Sequence, residues 1–201
     1  MKQKTRKQRY RELSSLADKE LNSSVIELAK SYLHDFPDSK RAWSMYSHSL
    51  YKLSKMKEAE KALLKTINLY SDSDEHLGWL LCRMGHIYEN SGDFRKAIEW
   101  FKKAHNEIPQ EATFLIYIGV TFLRIGKYDE AAEALTNATL CKEGFVDEAF
   151  YNLGVVQMAQ EKYEEAFLCL KEALKIDPKY EEAIQALKDV KKVFEIKNKQ
   201  H

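Results

Sequence analysis

Three glycines at nearly equal spacing indicate an internal repeat, and this repeat constrains the fold of the chain more than any other feature. Gly85, Gly119 and Gly154 align three segments that begin at residues 78, 112 and 147, offset by 34 and then 35 residues. A weaker segment begins at Lys40. In each segment, apolar residues at helical spacing run for about three turns, stop at a short turn and then resume. Each segment therefore predicts a pair of antiparallel helices.

The residues that recur resemble the tetratricopeptide repeat. Each strong segment carries some of its small, aromatic and proline residues. These are Gly85, Tyr88, Gly92, Ala97 and Pro109 in the first, Gly119, Phe122, Gly126 and Ala131 in the second, and Gly154, Tyr163, Ala166 and Pro178 in the third. The resemblance implies an all-α, right-handed superhelical solenoid of antiparallel helix pairs, with about 11 helices and a C-terminal capping helix.

The predicted organisation places four repeats between two divergent ends. Residues 1–39 form a basic N-terminal arm and a divergent helix pair, and residues 181–201 form the capping helix and a basic tail. The capping helix carries one apolar stripe on an otherwise charged surface, as a terminal cap requires. The repeats between these ends are 40–77, which is weak, and 78–111, 112–146 and 147–180.

Composition excludes several classes of protein. Seven glycines and three prolines in 201 residues are too few for a turn-rich all-β fold. The 32 Lys and Arg residues balance 31 Asp and Glu, so the net charge of +1 does not steer the whole molecule to nucleic acid or to an acidic membrane. No apolar run is long enough to predict a membrane span. Three cysteines without CxxC spacing favour reduced thiols, and we expect a cytoplasmic protein.

We expect no catalysis, no cofactor and no metal. The motifs HExxH, GxSxG, GxxxxGK[ST] and GxGxxG do not occur in the sequence. Acidic residues are abundant, but they fall at helix starts and on solvent faces. Cys82, His86 and His48 lack the paired spacing and the fourth ligand of zinc sites, so recognition of a peptide is the better interpretation of these residues.

The resemblance implies that the first helix of each repeat lines a concave groove, in which an adaptor or scaffold binds a segment of a partner protein. The N-terminal part of this groove is polar and partly basic, and the C-terminal part is apolar. A ligand would explain the exposed apolar residues, and so would coverage by the capping helix or by a second copy of the chain. A partner helix and an extended peptide both suit the groove. The predicted groove residues are Arg41, Met45, His48, Trp79, Arg83, His86, Ile116, Tyr117, Val120, Leu123, Tyr151, Asn152, Val155 and Met158.

The resemblance does not extend to the clamp by which co-chaperones of this family hold a terminal carboxylate. That clamp uses Lys and Asn residues on three consecutive first helices. The matching positions here hold Ser44, His48, Arg83, Thr113 and Tyr117. Only Arg83 carries a permanent positive charge, so binding of chaperone tails is not expected.

A basic arm at the N-terminus supports an alternative function. Before the first acidic residue, the arm carries Lys2, Lys4, Arg6, Lys7, Arg9 and Arg11. Such a cluster attracts phosphate, so an adaptor docked on RNA or a ribonucleoprotein is the alternative, beside a self-associating scaffold. Tyr10 is the only aromatic residue near it, which provides no platform for stacked bases and favours a solvated tail.

Overall fold

The computed structural model describes residues 5–70 and 76–199, with side chains as far as residue 196, and these ranges are all-α. They contain no strand, only an isolated backbone bridge between Glu111 and Glu143. The predicted fold class and the predicted number of helices are confirmed. The eleven helices are α1 (Arg6–Asp18), α2 (Asn22–Asp35), α3 (Lys40–Lys52), α4 (Met56–Ile67), α5 (Leu77–Asn90), α6 (Phe94–Glu107), α7 (Ala112–Arg124), α8 (Tyr128–Thr139), α9 (Val146–Ala159), α10 (Tyr163–Ile176) and α11 (Glu181–Lys199).

The same three-residue turn joins α1 to α2, α3 to α4, α5 to α6, α7 to α8 and α9 to α10. Its middle residue has a left-handed backbone, with φ of 53° at Glu20, 58° at Ser54, 79° at Gly92, 74° at Gly126 and 60° at Glu161. L residues reach this region at a cost, because the Cβ atom approaches the following carbonyl oxygen. The turn therefore marks the hairpins α1–α2, α3–α4, α7–α8 and α9–α10, whose helices pack against each other, and the divergent pair α1–α2 is one of them.

The chain divides into two compact units, Met1–Asp93 and Phe94–His201. In the first unit, α1 packs against α2 and α3. A reciprocal cap fixes its start, because the backbone N–H of Gln8 donates to Oγ1 of Thr5 at 3.3 Å and that of Thr5 donates to Oε1 of Gln8 at 2.9 Å. One core cluster of this unit contains Leu13, Val25, Ala29, Tyr32, Leu33 and Ala42.

In the second unit, two glycines allow the helices of each hairpin to approach closely. A Cβ atom added to Gly119 on α7 would lie 2.5 Å from Cγ of Leu135 on α8. A Cβ atom added to Gly154 on α9 would lie 3.0 Å from Cγ of Leu170 on α10. Real Cβ atoms do not tolerate the shorter contact, so a glycine is required at position 119, whereas the contact at position 154 is tight but less severe.

The last helix, α11, covers α10. The rings of Phe194 on α11 and Phe167 on α10 have centroids 5.9 Å apart. The apolar stripe predicted for this helix therefore packs on the last repeat, with Ala183 and Val190 buried. The core that the two helices share contains Ala166, Leu170, Ala173, Ala183 and Val190.

The three cysteines are free thiols, and Cys82 is buried. Burial raises the pKa of the Cys141 and Cys169 thiols above the ordinary value. Among the helices of the described ranges, none has the length and the apolar character that crossing a membrane requires.

Candidate partner-binding site

The predicted groove residues lie on α3, α5, α7 and α9, and they fall into both units. The first unit holds Arg41, Met45 and His48 on α3 and Trp79, Arg83 and His86 on α5. The second unit holds Ile116, Tyr117, Val120 and Leu123 on α7 and Tyr151, Asn152, Val155 and Met158 on α9.

In the first unit, a cavity of about 250 Å³ opens beside α3 and α5. We call it the Arg83 cavity. Three of its lining residues, Met45, His48 and Arg83, were predicted from the sequence. Its lining residues are Ala17, Glu20, Asn22, Ser44, Met45, His48, Ser49, Lys52 and Arg83.

Two polar nitrogen atoms are buried in this cavity without a hydrogen-bond partner among the described residues. They are Nη1 of Arg83 and Nδ1 of His48. Burial lowers the pKa of the Arg83 guanidinium. Burial, followed by the positive charges of Arg83 and Lys52, lowers the pKa of His48, and Glu20 opposes that shift. The cavity therefore contains hydrogen-bonding capacity and positive charge that the described part of the fold does not use.

The other predicted residues of the first unit differ in their exposure and in their contacts. Trp79 is 45% exposed. Arg41 is exposed and lines a neighbouring cavity of about 370 Å³ with Lys40, Ser44, Met45, Tyr70 and His76. His86 already has a partner on its own helix, because its Nδ1 atom lies 3.1 Å from Oε2 of Glu89.

In the second unit, several of the predicted apolar and aromatic residues are buried or make contacts within the chain. Ile116 is only 1% exposed, so the expectation that it presents a surface to a ligand is corrected: its side chain is part of the interior. The ring of Tyr117 packs against Phe101, with centroids 5.4 Å apart. Val120 and Leu123 are half-buried.

The predicted residues on α9 are also occupied in part by internal contacts. The ring of Tyr151 packs against Tyr180, with centroids 5.0 Å apart. The side-chain amide of Asn152 donates to the backbone carbonyl of Glu148 at 2.9 Å. Met158 packs against the core that α10 and α11 share, and Val155 is half-buried. Coverage by the capping region, one of the two explanations left open by the sequence, thus accounts for part of this apolar stripe.

Sequence reasoning missed the contribution of α1, its turn and the start of α2 to the Arg83 cavity. Ala17, Glu20 and Asn22 line it, but this segment lacks the small residues of the repeat. A usable signal was the position of Glu20, which lies 34 residues before Ser54, in register with the next hairpin turn.

No group of three or more His, Cys, Asp or Glu side chains is placed to hold a metal ion within the described residues. Cys82, which lies four residues before His86 on α5, is 4% exposed.

Family comparisons agree with the helix pairs. Models of the tetratricopeptide repeat match residues 40–106, 82–144 and 147–180, which together cover well over half of the chain.

Individual relatives are distant or much larger. A 128-residue stretch is 31% identical to the Protein CTR9 homolog of Arabidopsis thaliana, and it covers 61% of this chain but only 11% of that protein. The chain therefore spans about a tenth of the length of this relative.

Two solved structures show the same fold at low sequence identity. The first is YrrB, described as a TPR protein with an unusual peptide-binding site, at 20% identity and a TM-score of 0.67, with 88% of each chain covered. The second is the first TPR of Spaghetti (RPAP3) bound to the HSP90 peptide SRMEEVD, at 21% identity and a TM-score of 0.55, covering 60% of this chain and 95% of that one. The repeated glycines, the five equivalent turns and the three family matches lead to one conclusion: the chain belongs to the tetratricopeptide repeat family and is a protein–protein interaction module.

Proposed function

We propose that this module is a non-catalytic adaptor or scaffold that binds a segment of a partner protein along the first helices of its first unit, α1, α3 and α5. The observation that carries the proposal is the Arg83 cavity, where Arg83 and His48 each leave a buried nitrogen without a partner among the described residues. Leaving such groups unsatisfied is costly, and a ligand that supplies acceptors recovers that cost.

The second unit, taken by itself, has three half-buried apolar residues among the predicted ones. Val120, Leu123 and Val155 can make apolar contacts with a segment bound on that unit. Ile116 does not take part in this proposal, because its side chain is interior.

The RNA-associated alternative receives less support from the described part of the basic arm. The guanidinium of Arg6 lies 4.6 Å from the ring centroid of Phe36. Arg9 pairs with Asp35, and its Nη2 atom donates to Oγ of Ser31 at 3.1 Å. Arg9 therefore helps to pack α1 on α2, whereas Arg6 contacts a ring of α2's C-terminal cap and stays exposed. Lys2 and Lys4, the first cations of the arm, lie outside the described residues.

Site-specific photo-cross-linking tests the proposal. A photoreactive amino acid at position 45, on the face of α3 that lines the cavity, should capture a discrete partner in cells of the native organism. The matched control is position 61, which is exposed on α4 and lines neither cavity. Equal labelling from both positions would mean that this face has no specific partner, and cross-links mainly to RNA would favour the alternative.

A further inference from the structure

Three cavities form a continuous row along α3. The Arg83 cavity shares Ser44 and Met45 with the 370 Å³ cavity beside Tyr70, which we call the Tyr70 cavity. The Tyr70 cavity shares Lys40 and Arg41 with a third cavity of about 460 Å³, which Tyr10 and Tyr32 also line and which we call the Tyr10 cavity. An elongated ligand can therefore contact all three without leaving the surface of the first unit.

The described residues that line this row are strongly biased to positive charge. Glu20 is the one carboxylate among them. The whole chain has a net charge of only +1, so the bias is a local property of this surface. A row of this kind attracts an anionic partner and orients it. Its permanently cationic residues are Arg6, Lys7, Lys40, Arg41, Lys52 and Arg83.

The Arg83 cavity indicates which chemical group of the ligand it would bind. A guanidinium presents paired N–H donors that match the two oxygen atoms of a carboxylate. Nη1 of Arg83 is buried and without a described partner, and Nδ1 of His48 is in the same state in the same cavity. A carboxylate entering this cavity would accept a hydrogen bond from Nη1 of Arg83 and, in the tautomer that carries the proton on Nδ1, another from His48. It would also compensate the buried positive charge.

We infer that the partner segment is an internal acidic stretch whose side-chain carboxylates enter the Arg83 cavity and the cation-lined cavities that follow it. This inference rests on the proposed function and names the chemistry of its ligand. A chain terminus supplies its charge at one end, whereas three cation-lined cavities in a row require carboxylates spaced along the segment. Helix α3 has 13 residues and is about 20 Å long, so roughly six residues of extended peptide span the row.

The aromatic rings of the row favour an acidic protein over a single-stranded nucleic acid. Tyr32 is only 2% exposed, and Tyr10 packs against it with ring centroids 6.1 Å apart. The ammonium of Lys40 lies 4.7 Å from the ring centroid of Tyr70. Base stacking needs an open aromatic face, and these contacts occupy the rings.

Fluorescence anisotropy with synthetic peptides tests the inference on the full chain. The probe is a glutamate-rich peptide of roughly eight residues, acetylated and amidated so that it has no charged terminus. The matched peptide carries glutamine in place of glutamate. We expect the glutamate peptide to bind at least about tenfold more tightly, because each lost charge contact weakens binding by that order. Equal affinity for both peptides, or binding only when the carboxyl terminus is free, would overturn the inference.

Variants of the protein locate the site. Arg83→Met should weaken binding of the glutamate peptide about tenfold or more, and Arg95→Met, which changes a 91% exposed arginine on α6, should not. Arg41→Gln on the exposed surface provides a second test that does not depend on how the cavity tolerates Arg83→Met. Unchanged affinity in both Arg83→Met and Arg41→Gln would reject the assignment.

Two further measurements separate the alternatives. Asp72, Asp74 and Glu75 precede His76 in the sequence and lie outside the described residues, so the triple amide variant is compared with the native chain. If the glutamate peptide binds the native chain, and binds the variant equally or more tightly, the row receives a partner segment. If the peptide binds only the variant, the row is occupied by the chain's own acidic residues. A uridine oligonucleotide that binds more tightly than the glutamate peptide and loses affinity in Arg83→Met would assign the row to RNA.

Different results would contradict the proposed function and the acidic ligand. If position 45 captures a discrete partner whose cross-linked segment is not acidic, the proposed function stands and the acidic ligand is wrong. If the glutamate peptide binds but position 45 captures no partner beyond the control, the carboxylate site is present and the adaptor function is wrong.

Discussion

Glu20 and Ser54 occupy equivalent places in successive hairpins: each is the middle residue of a three-residue turn, with a left-handed φ of 53° and 58°. They lie 34 residues apart, the same offset that separates Gly92 from Gly126. The α1–α2 pair therefore follows the register of the repeats, although its sequence lacks their small residues. The turn geometry, which depends on the backbone, is retained where the side-chain pattern has diverged.

Ser54→Gly should stabilise the protein, because glycine adopts the left-handed conformation without the Cβ penalty. We expect the free energy of unfolding to rise by about 0.5–1 kcal/mol. Gly126→Ala should lower it by a similar amount, since an added Cβ at Gly126 meets no atom within 4 Å and the cost is conformational alone. Urea unfolding followed by circular dichroism measures both changes. A destabilising Ser54→Gly would show that the serine side chain contributes more than its backbone conformation costs.

Gly119→Ala should be clearly more destabilising than Gly154→Ala. The added Cβ would lie 2.5 Å from Cγ of Leu135 in the first case and 3.0 Å from Cγ of Leu170 in the second. Overpacking of this kind costs about 1–3 kcal/mol. The double variant Gly119→Ala with Leu135→Ala should recover part of the loss, because the clash and the cavity compensate each other. Strict additivity of the two changes in thermal melts would contradict the assigned contact.

Leu13→Ala should destabilise the first unit strongly, because Leu13 is fully buried in the core beside Val25 and Tyr32. Removal of a buried leucine side chain costs about 2–5 kcal/mol. Leu21→Ala is the matched control, since Leu21 is 48% exposed and should change stability by less than about 0.5 kcal/mol. Similar unfolding midpoints for the two variants would show that α1 is a peripheral arm.

The sequence predicts the strong hairpins well for a physical reason. A close helix approach, such as that of Gly119 to Leu135, tolerates only a small residue and so leaves a visible mark at each repeat. The burial of Ile116 and of the Nη1 atom of Arg83 leaves no such mark in the sequence. It depends on which part of the helix surface the neighbouring helices cover. Position within a repeat assigns a residue to a face of its helix, whereas its exposure is decided by the packing of that face.

The free energy of unfolding should fall as the pH drops through about 6.5, because two half-buried histidines resist protonation in the folded state. Burial lowers the pKa of His105, and burial together with the charges of Arg83 and Lys52 lowers that of His48. In the unfolded chain both return to about 6.5. The unfolded state then binds more protons below this pH, so their contribution to stability is complete above about pH 6.5 and is lost progressively as the pH falls towards the folded pKa values.

Thermal melts between about pH 8 and about pH 5 measure this dependence. His105→Gln should reduce the slope of the melting temperature against pH, and the double variant with His48→Gln should reduce it further. The slope is the informative quantity, because a loss of packing at either position lowers stability equally at every pH. An unchanged slope in the double variant would mean that other groups carry the pH dependence. At His48, saturating glutamate peptide should also flatten the profile, since a carboxylate in the Arg83 cavity offsets the positive charge that opposes protonation.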